Sequence, residues 1–371
     1  MKFKCIRSNM LEGLKTVGNA VGKGDALGDY RNVRISPAGP HAVTVTATDG
    51  FIQVETSVPA DVTDEAAVCI PGDMFRGIID LLPEGPVHVD AAPSAPRAVV
   101  AAGPVAYRVA IDGVEKFHEM HRPGVDAHCV TLPSMTFREM LRKSVYAAST
   151  EKTRQSLLGV NVEVGHGEIV LVATDGRRLA WCSHGAEGAD GTDGGEFSCV
   201  LPAQTAKVVQ RLCSADGDVR IETDGKTAFL RGETWSVTTK LMDVAYPYWR
   251  KVIPDETALP CRVDVDRDLL MAAVRQCAFA ASDRTGVRIT VGSDEILFEA
   301  RSEDASARTA VPVKYAGETV KAAFDPRLVL DALAASDEET VHMLCGTQCK
   351  ALVFRFSAPY EAIVQQMRME D

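Results

Sequence analysis

Two short runs hold the residue types from which chemistry could be built. Asp175 lies in Ala173-Thr174-Asp175-Gly176-Arg177-Arg178-Leu179, a carboxylate followed by two guanidinium groups, and Ala-Thr-Asp-Gly recurs at 47–50. Asp49 and Asp175 therefore look like a repeated carboxylate pair of the kind used in acid–base work. The second run is His118, His121, His128 and Cys129, whose letters suit a metal. Neither survives its spacing. Asp-Gly between the strand-like residues 167–172 and 180–182 is a hairpin turn, because Gly accepts positive φ and Asp tolerates it. Turn chemistry explains both aspartates, and it presents Arg177 and Arg178 beside the strand ends rather than burying them. The histidines lack the H-E-x-x-H helical spacing and fall in a Pro- and Gly-containing linker.

Other catalytic signatures are missing or incomplete. Cys345-Gly-Thr-Gln-Cys349 reads as a turn between two strands. Residues 18–28 are glycine-rich without the Lys-Ser/Thr of a phosphate loop, and no G-x-S-x-G elbow occurs. The expectation is a protein that is not an enzyme and uses no metal or cofactor. A metal-dependent hydrolase built on 118–129 is the rival, and metal analysis would detect it.

The elements that carry these residues repeat. Helical spacing opens three units, at 8–21 (Leu11, Leu14, Val17), 134–148 (Phe137, Leu141, Val145) and 266–281 (Leu270, Val274, Cys277). Each leads to a similar strand, at Asn32, Gly159 and Gly286, so the offsets are 159 − 32 = 127 and 286 − 159 = 127. A second helix follows in each unit, at 71–82, 202–212 and 325–334, and a strand returns at 87–89, 219–221 and 341–343. The chain reads as three α+β domains, 1–126, 127–256 and 257–371, each of about 125 residues, a normal domain size. Residues 185–195 form an acidic, glycine-rich loop inside the second domain.

Bulk properties narrow the class. The 371 residues are 46% hydrophobic and 25% charged, ordinary for a globular protein. A formal charge of 40 − 51 = −11 argues naively against nucleic acid, yet net charge says nothing about distribution. The N-terminus lacks a signal-peptide core and no stretch spans a bilayer, which points to the cytoplasm without membrane contact. Ten cysteines without a C-x-x-C pair read as reduced, mostly buried small hydrophobes.

On that repeat four motifs occur in order: Glu151-Lys152-Thr153-Arg154 with Leu157 and Gly159; residues 173–180; Tyr246-Pro247-Tyr248-Trp249-Arg250-Lys251-Val252-Ile253-Pro254; and Met367-Arg368-Met369. Over its whole length the chain resembles the bacterial sliding clamp, the beta subunit of DNA polymerase III. The resemblance implies clamp-type domains, each with two helices and antiparallel sheets, closing as a six-domain ring. That ring is a head-to-tail homodimer around duplex DNA, with helices lining the hole. Size agrees: three spheres of about 35 Å diameter leave a hole of about 5 Å, whereas six leave about 35 Å, enough for a duplex roughly 20 Å across. The function implied is a processivity factor that tethers the replicative polymerase.

The site residues follow from the same source. Basic residues on helix flanks would face the DNA without reading sequence: Lys23, Arg76, Arg138, Arg142, Lys152, Lys207, Arg211 and Arg275, with a solvated face as the alternative. A cleft between the second and third domains would capture peptides of the DNA polymerase III alpha subunit, the clamp loader, other polymerases and repair proteins. Its walls would be Arg154, Leu157, Thr174, Gly176, Arg177, Arg178, Leu179, Pro247, Lys251, Val252, Cys349, Ala351, Ile363, Gln366, Met367 and Arg368, with core packing the alternative for Leu157, Leu179 and Val252. Ring closure would use Tyr107, Ala278 and Phe279, with buried core the alternative.

Departures from the family pattern concern the tail and the first domain. Gln365 and Gln366 stand where the family has Met-Pro, Arg177 where His is common and Lys251 where Arg is common. Residues 22–28 replace the usual Pro-rich stretch. A flexible polar wall in place of a rigid apolar one predicts altered peptide ranking, and favours an accessory clamp with a narrowed partner list as the second reading.

Overall fold

The computed structural model describes all residues except 23–29, 92–94, 125–126, 186–194, 215, 283, 347–349, 358 and 369–371. Lys23, Cys349 and most of the 185–195 loop fall outside the described residues.

One element order, strand, helix, four strands, helix, three strands, occurs three times. The first copy is β1 (Lys2–Ile6), α1 (Arg7–Val17), β2 (Asn32–Pro37), β3 (Ala42–Thr48), β4 (Ile52–Asp64), β5 (Val68–Pro71), α2 (Gly72–Leu81), β6 (Pro86–Asp90), β7 (Arg97–Ala102) and β8 (Val105–Ala110). The second is β9 (His128–Pro133), α3 (Ser134–Val145), β10 (Gly159–Gly165), β11 (Glu168–Thr174), β12 (Arg178–Gly185), β13 (Phe197–Pro202), α4 (Ala203–Leu212), β14 (Asp218–Thr223), β15 (Thr227–Arg231) and β16 (Trp235–Lys240). The third is β17 (Cys261–Asp266), α5 (Arg267–Ala278), β18 (Val287–Val291), β19 (Glu295–Arg301), β20 (Ser306–Pro312), β21 (Val320–Phe324), α6 (Pro326–Ala334), β22 (Thr340–Cys345), β23 (Ala351–Arg355) and β24 (Tyr360–Gln365).

Local chemistry accounts for these elements. Alternation of buried and exposed residues runs cleanly along β1 and β17, as a strand with one packed face requires. Asp266 starts α5 by accepting from Leu269 N at 2.9 Å. Asp325 starts α6 by accepting from Arg327 N at 3.0 Å, with Pro326 in the first turn where its missing N–H costs nothing. Helical spacing delivers its apolar side chains to the core: Leu14 and Val17, Phe137 and Leu141, Leu270 and Val274 are all buried.

The chain divides into two compact units, and the division falls inside α3 and α4. One unit is built chiefly from Met1–Phe137 and Val208–Leu241. It holds a twelve-stranded sheet of order β8-β7-β6-β1-β4-β16-β15-β14-β9, with β3, β2 and β5 branching from β4. The other is built chiefly from Arg138–Asp190, Glu196–Lys207 and Met242–Asp371. It holds an eight-stranded sheet, β13-β10-β11-β12-β24-β23-β22-β17, and a four-stranded sheet, β20-β19-β18-β21.

The same seam joins consecutive copies in both units. β4 pairs antiparallel with β16, Ile52 opposite Thr239 and Thr56 opposite Trp235. β12 pairs with β24 in the matching way, Arg178 opposite Val364 and Cys182 opposite Tyr360. The pattern leaves two ends over: β8 is the outer strand of the first sheet and β20 the outer strand of the last.

Candidate functional site

The turn at 174–178 is held as its letters require. Gly176 has φ +85°, and the Asp175 carboxylate accepts from Arg177 N at 2.8 Å and Arg178 N at 3.0 Å. Thr174 Oγ1 accepts from Gly176 N at 3.1 Å and donates to Arg178 O at 2.6 Å. Asp49 and Gly50 (φ +84°) do the same, with Asp49 accepting from Phe51 N and Ile52 N at 2.9 Å each. A third copy that the sequence reading missed closes at Thr223-Asp224-Gly225, where Asp224 accepts from Lys226 N at 2.9 Å and Thr227 N at 2.7 Å. In all three copies the aspartate's hydrogen bonds serve the turn.

The arginines after the turn part company, which corrects the expectation that both are presented. Arg177 is exposed and pairs with Asp325 at 3.0 Å. Burial alone would raise the Asp325 carboxyl, but hydrogen bonds from Arg327 and Arg177 outweigh it and hold its pKa below the ordinary value. Arg178 keeps only 13% of its side chain exposed. It spans Asp175 (3.1 Å), Asp331 (2.6 Å) and the Tyr146 carbonyl (2.7 Å), and its guanidinium lies 5.2 Å from the Tyr146 ring. Its donors are committed to binding the turn to α6 and the end of α3.

Around this turn the structure gathers most of the expected cleft. Arg154 donates to Asp175 O at 2.7 Å, with Leu157 half-buried beside it. Leu179 faces Ile363 across the β12–β24 seam, and Ala351 faces Gln365 across β23–β24. Leu179 and Ile363 are 2% and 4% exposed and belong to a core cluster with Val170, Val172, Trp249 and Leu259. For Leu179 the core reading holds: it underlies the cleft and offers no free wall. The exposed apolar surface is Val252 (60%) and Tyr248 (65%), with Pro247 and Lys251 also exposed and Lys251 Nζ 5.4 Å from the Tyr248 ring.

The linker carrying these residues is pinned to the sheet face through Glu163, which sequence reasoning did not single out. Trp249 Nε1 donates to Glu163 at 2.8 Å, Arg250 pairs with Glu163 at 2.7 Å, and the Trp249 ring lies 5.7 Å from Trp181. Trp181 Nε1 is buried with no acceptor among the described residues. The tail is tied down as well. Gln365 N donates to Arg177 O (2.8 Å), Gln366 N to Lys350 O (2.8 Å), Gln366 Nε2 to Ala351 O (3.2 Å) and Met367 N to Ala323 O (2.8 Å). A proline at 366 could not make the Lys350 bond, so this chain gains an anchor where the expectation saw only a softer wall.

The expected DNA-facing residues divide too. Arg76, Arg138, Lys152, Lys207, Arg211 and Arg275 are exposed. Arg142 is not solvated in that way: it pairs with Glu139 at 2.6 Å and Asp337 at 2.8 Å. Burial would lower the Arg142 pKa, and those two carboxylates reverse the sign and raise it. At the expected closure surface Phe279 is 92% exposed, so buried core is excluded for it, while Tyr107 and Ala278 are intermediate. No described helix is long and apolar enough to cross a membrane.

The threefold element order with its seam pairing is the fold of the DNA sliding clamps. The DNA polymerase III subunit beta of Pseudomonas aeruginosa superposes with a TM-score of 0.91 at 22% identity over 100% of both chains. The DNA polymerase sliding clamp of Bacillus subtilis gives 0.92 at 18%, again over 100% of both. In sequence, the beta sliding clamp of Chlamydia muridarum is 27% identical across 100% of each chain. Residues 131–248 match the central domain, and 250–370 the C-terminal domain, of the DNA polymerase III beta subunit. The chain belongs to the DNA polymerase III beta subunit family.

Proposed function

We infer that this DNA sliding clamp works as a closed ring of two copies, each contributing three repeat domains (1–126, 127–256, 257–371), and holds partners through the cleft at residues 174–178. The observation that carries the reading is the pair of leftover sheet ends. Both internal junctions join the fourth strand of one copy to the last strand of the next. Among the described residues only β20 lacks a following last strand and only β8 a preceding fourth strand, and unpaired edges of this kind invite another chain. Ile52 opposes Thr239 and Arg178 opposes Val364. Carried through the β19–β20 and β7–β8 pairings, the same register sets Ser306 opposite Arg108 of the partner subunit and Ala307 opposite Tyr107 of the partner subunit. Phe279, at the end of α5, is the exposed apolar anchor for that closure. Two such junctions, head to tail, close the ring.

Retention on DNA then comes from topology. Exposed basic side chains at Arg76, Arg138, Lys152, Lys207, Arg211 and Arg275 make phosphate contacts that carry no sequence information, and the net charge of −11 keeps them weak and salt-sensitive. The cleft takes an extended peptide: Val252 and Pro247 receive its apolar side chains, and Arg154, Arg177 and Lys251 its polar groups. Its sources are the DNA polymerase III alpha subunit, the clamp loader and other polymerases and repair proteins with clamp-binding motifs. The hydrogen-bonded Gln366 supports the narrower accessory-clamp reading as the second choice. Sedimentation tests the ring: Phe279→Asp gives monomers, and an intact dimer contradicts the closure.

A further inference from the structure

Cysteines are scattered singly along the chain, but the fold brings two of them together. Cys261 opens β17 and Cys345 closes β22, and the antiparallel register sets them directly opposite one another. Opposed residues in such a ladder have Cα atoms about 4.5–5.5 Å apart, inside the roughly 4.4–6.8 Å that a disulfide spans. Their side chains leave the same face of the sheet, so both sulfurs enter one space. The two thiols hydrogen-bond each other, and neither belongs to a disulfide. The strand ends are held in place: beside Cys345, Gly346 packs so closely on Ala258 that a side chain there would strike the Ala258 carbonyl. Among the described strand cysteines, Cys5, Cys69, Cys129, Cys182 and Cys199 all oppose other residue types.

We propose that Cys261 and Cys345 form a peroxide-responsive thiol pair, in which Cys261 attacks the oxidant and Cys345 resolves the product to a disulfide between β17 and β22. The Cys261 thiolate displaces hydroxide from hydrogen peroxide and becomes a sulfenic acid. The Cys345 thiol then attacks that sulfur, forming the S–S bond and releasing water, while the hydroxide takes up the proton lost from Cys261. Two thiols and one peroxide give one disulfide and two waters; the sulfurs are oxidised and the peroxide oxygens reduced. The order of attack follows from the surroundings of each thiol. Hydrogen bonds from Cys345 and Tyr315 outweigh burial at Cys261 and lower its pKa, and the thiolate is the nucleophile. Burial pushes Cys5, Cys182 and Cys199 up to about 12 and Cys69 to about 11, which leaves those thiols protonated. Both sulfurs of the pair are enclosed, but Tyr315 is only half-buried, which places them close beneath the surface, within reach of a small oxidant. The proposal is independent of both the ring closure and the cleft at 174–178.

The full-length protein is treated with graded hydrogen peroxide, its remaining thiols are alkylated in denaturant, and the unreduced tryptic peptides are weighed. The expected product joins residues 252–262 to residues 328–350, two hydrogens lighter than the separate peptides, with fragmentation placing the bond at Cys345. Dithiothreitol should reverse it. The bond should form at roughly one tenth of the peroxide concentration that oxidises Cys5, Cys182 or Cys199. Cys345→Ser should leave Cys261 as a sulfenic acid that dimedone labels, and Cys261→Ser should leave Cys345 open to alkylation, both with an unaltered circular dichroism spectrum. In the unsubstituted protein, a bond from Cys345 to Cys349 instead, or oxidation of Cys261 and Cys345 no sooner than that of the other enclosed cysteines, overturns the proposal. So does oxidation of Cys345 at the same peroxide concentration in Cys261→Ser.

Discussion

Two turns spelled Ala-Thr-Asp-Gly close identically and yet serve different ends. At 47–50 the chain continues with Phe51 and Ile52; Phe51 is 70% exposed beneath Lys240, and Ile52 is buried. At 173–176 it continues with Arg177 and Arg178, one exposed and one locked among Asp175, Asp331 and Tyr146. The hydrogen bonds inside the two turns match within a few tenths of an ångström. The aspartate is thus common scaffolding, and the distinguishing chemistry lies in the two side chains that follow it.

The comparison breaks most visibly at Arg178. Removing it strands Asp175 and the Tyr146 carbonyl in a largely enclosed setting, so Arg178→Ala should cost about 3 kcal/mol of unfolding free energy by denaturant titration. Arg177→Ala, with an exposed side chain, should cost under about 1 kcal/mol. Equal costs would erase the distinction between the two arginines.

A smaller effect separates the aspartates themselves. Asp49→Ala loses turn hydrogen bonds worth about 1 kcal/mol, and Asp175→Ala should lose more, because it also releases Arg178 Nε. Urea midpoints of the two variants decide it; a larger loss at Asp49 would contradict the assignment.

The smallest effect is a pH dependence at Asp325, the carboxylate that Arg177 meets. Its folded pKa lies below the unfolded value of about 3.9, so its stabilisation is fully present above that value and is lost as pH falls through the folded pKa. Asp325→Asn should therefore cost about 1 kcal/mol at pH 7 and nothing once the pH is below the folded pKa. A cost that persists unchanged under those acidic conditions would mean that the cap, not the charge, supplies the effect.

What could be read from sequence follows the range of the interactions involved. The six helices and the strands at Asn32, Gly159 and Val287 were legible because their apolar periods are local, with the capping aspartates Asp266 and Asp325 marking α5 and α6. The third turn escaped because Glu222 replaces the alanine that marks the other two. Arg178 was misjudged because its partner Asp331 lies 153 positions away, where no local pattern reports it. Whether Leu179 is wall or core stayed open in the sequence for the same reason: its opposite number, Ile363, arrives with the seam strand of another copy. Pairing across copies depends on which edges remain open, and that becomes visible only once the sheets are drawn.

The central claim is that two of these chains surround a duplex and stay by enclosure. After loading, retention is measured on a closed circular duplex and on the same duplex cut once, at a salt concentration that removes phosphate-bound protein. The account predicts protein that remains on the circle and is lost from the cut duplex. Equal loss from both, or equal retention on both, would contradict it.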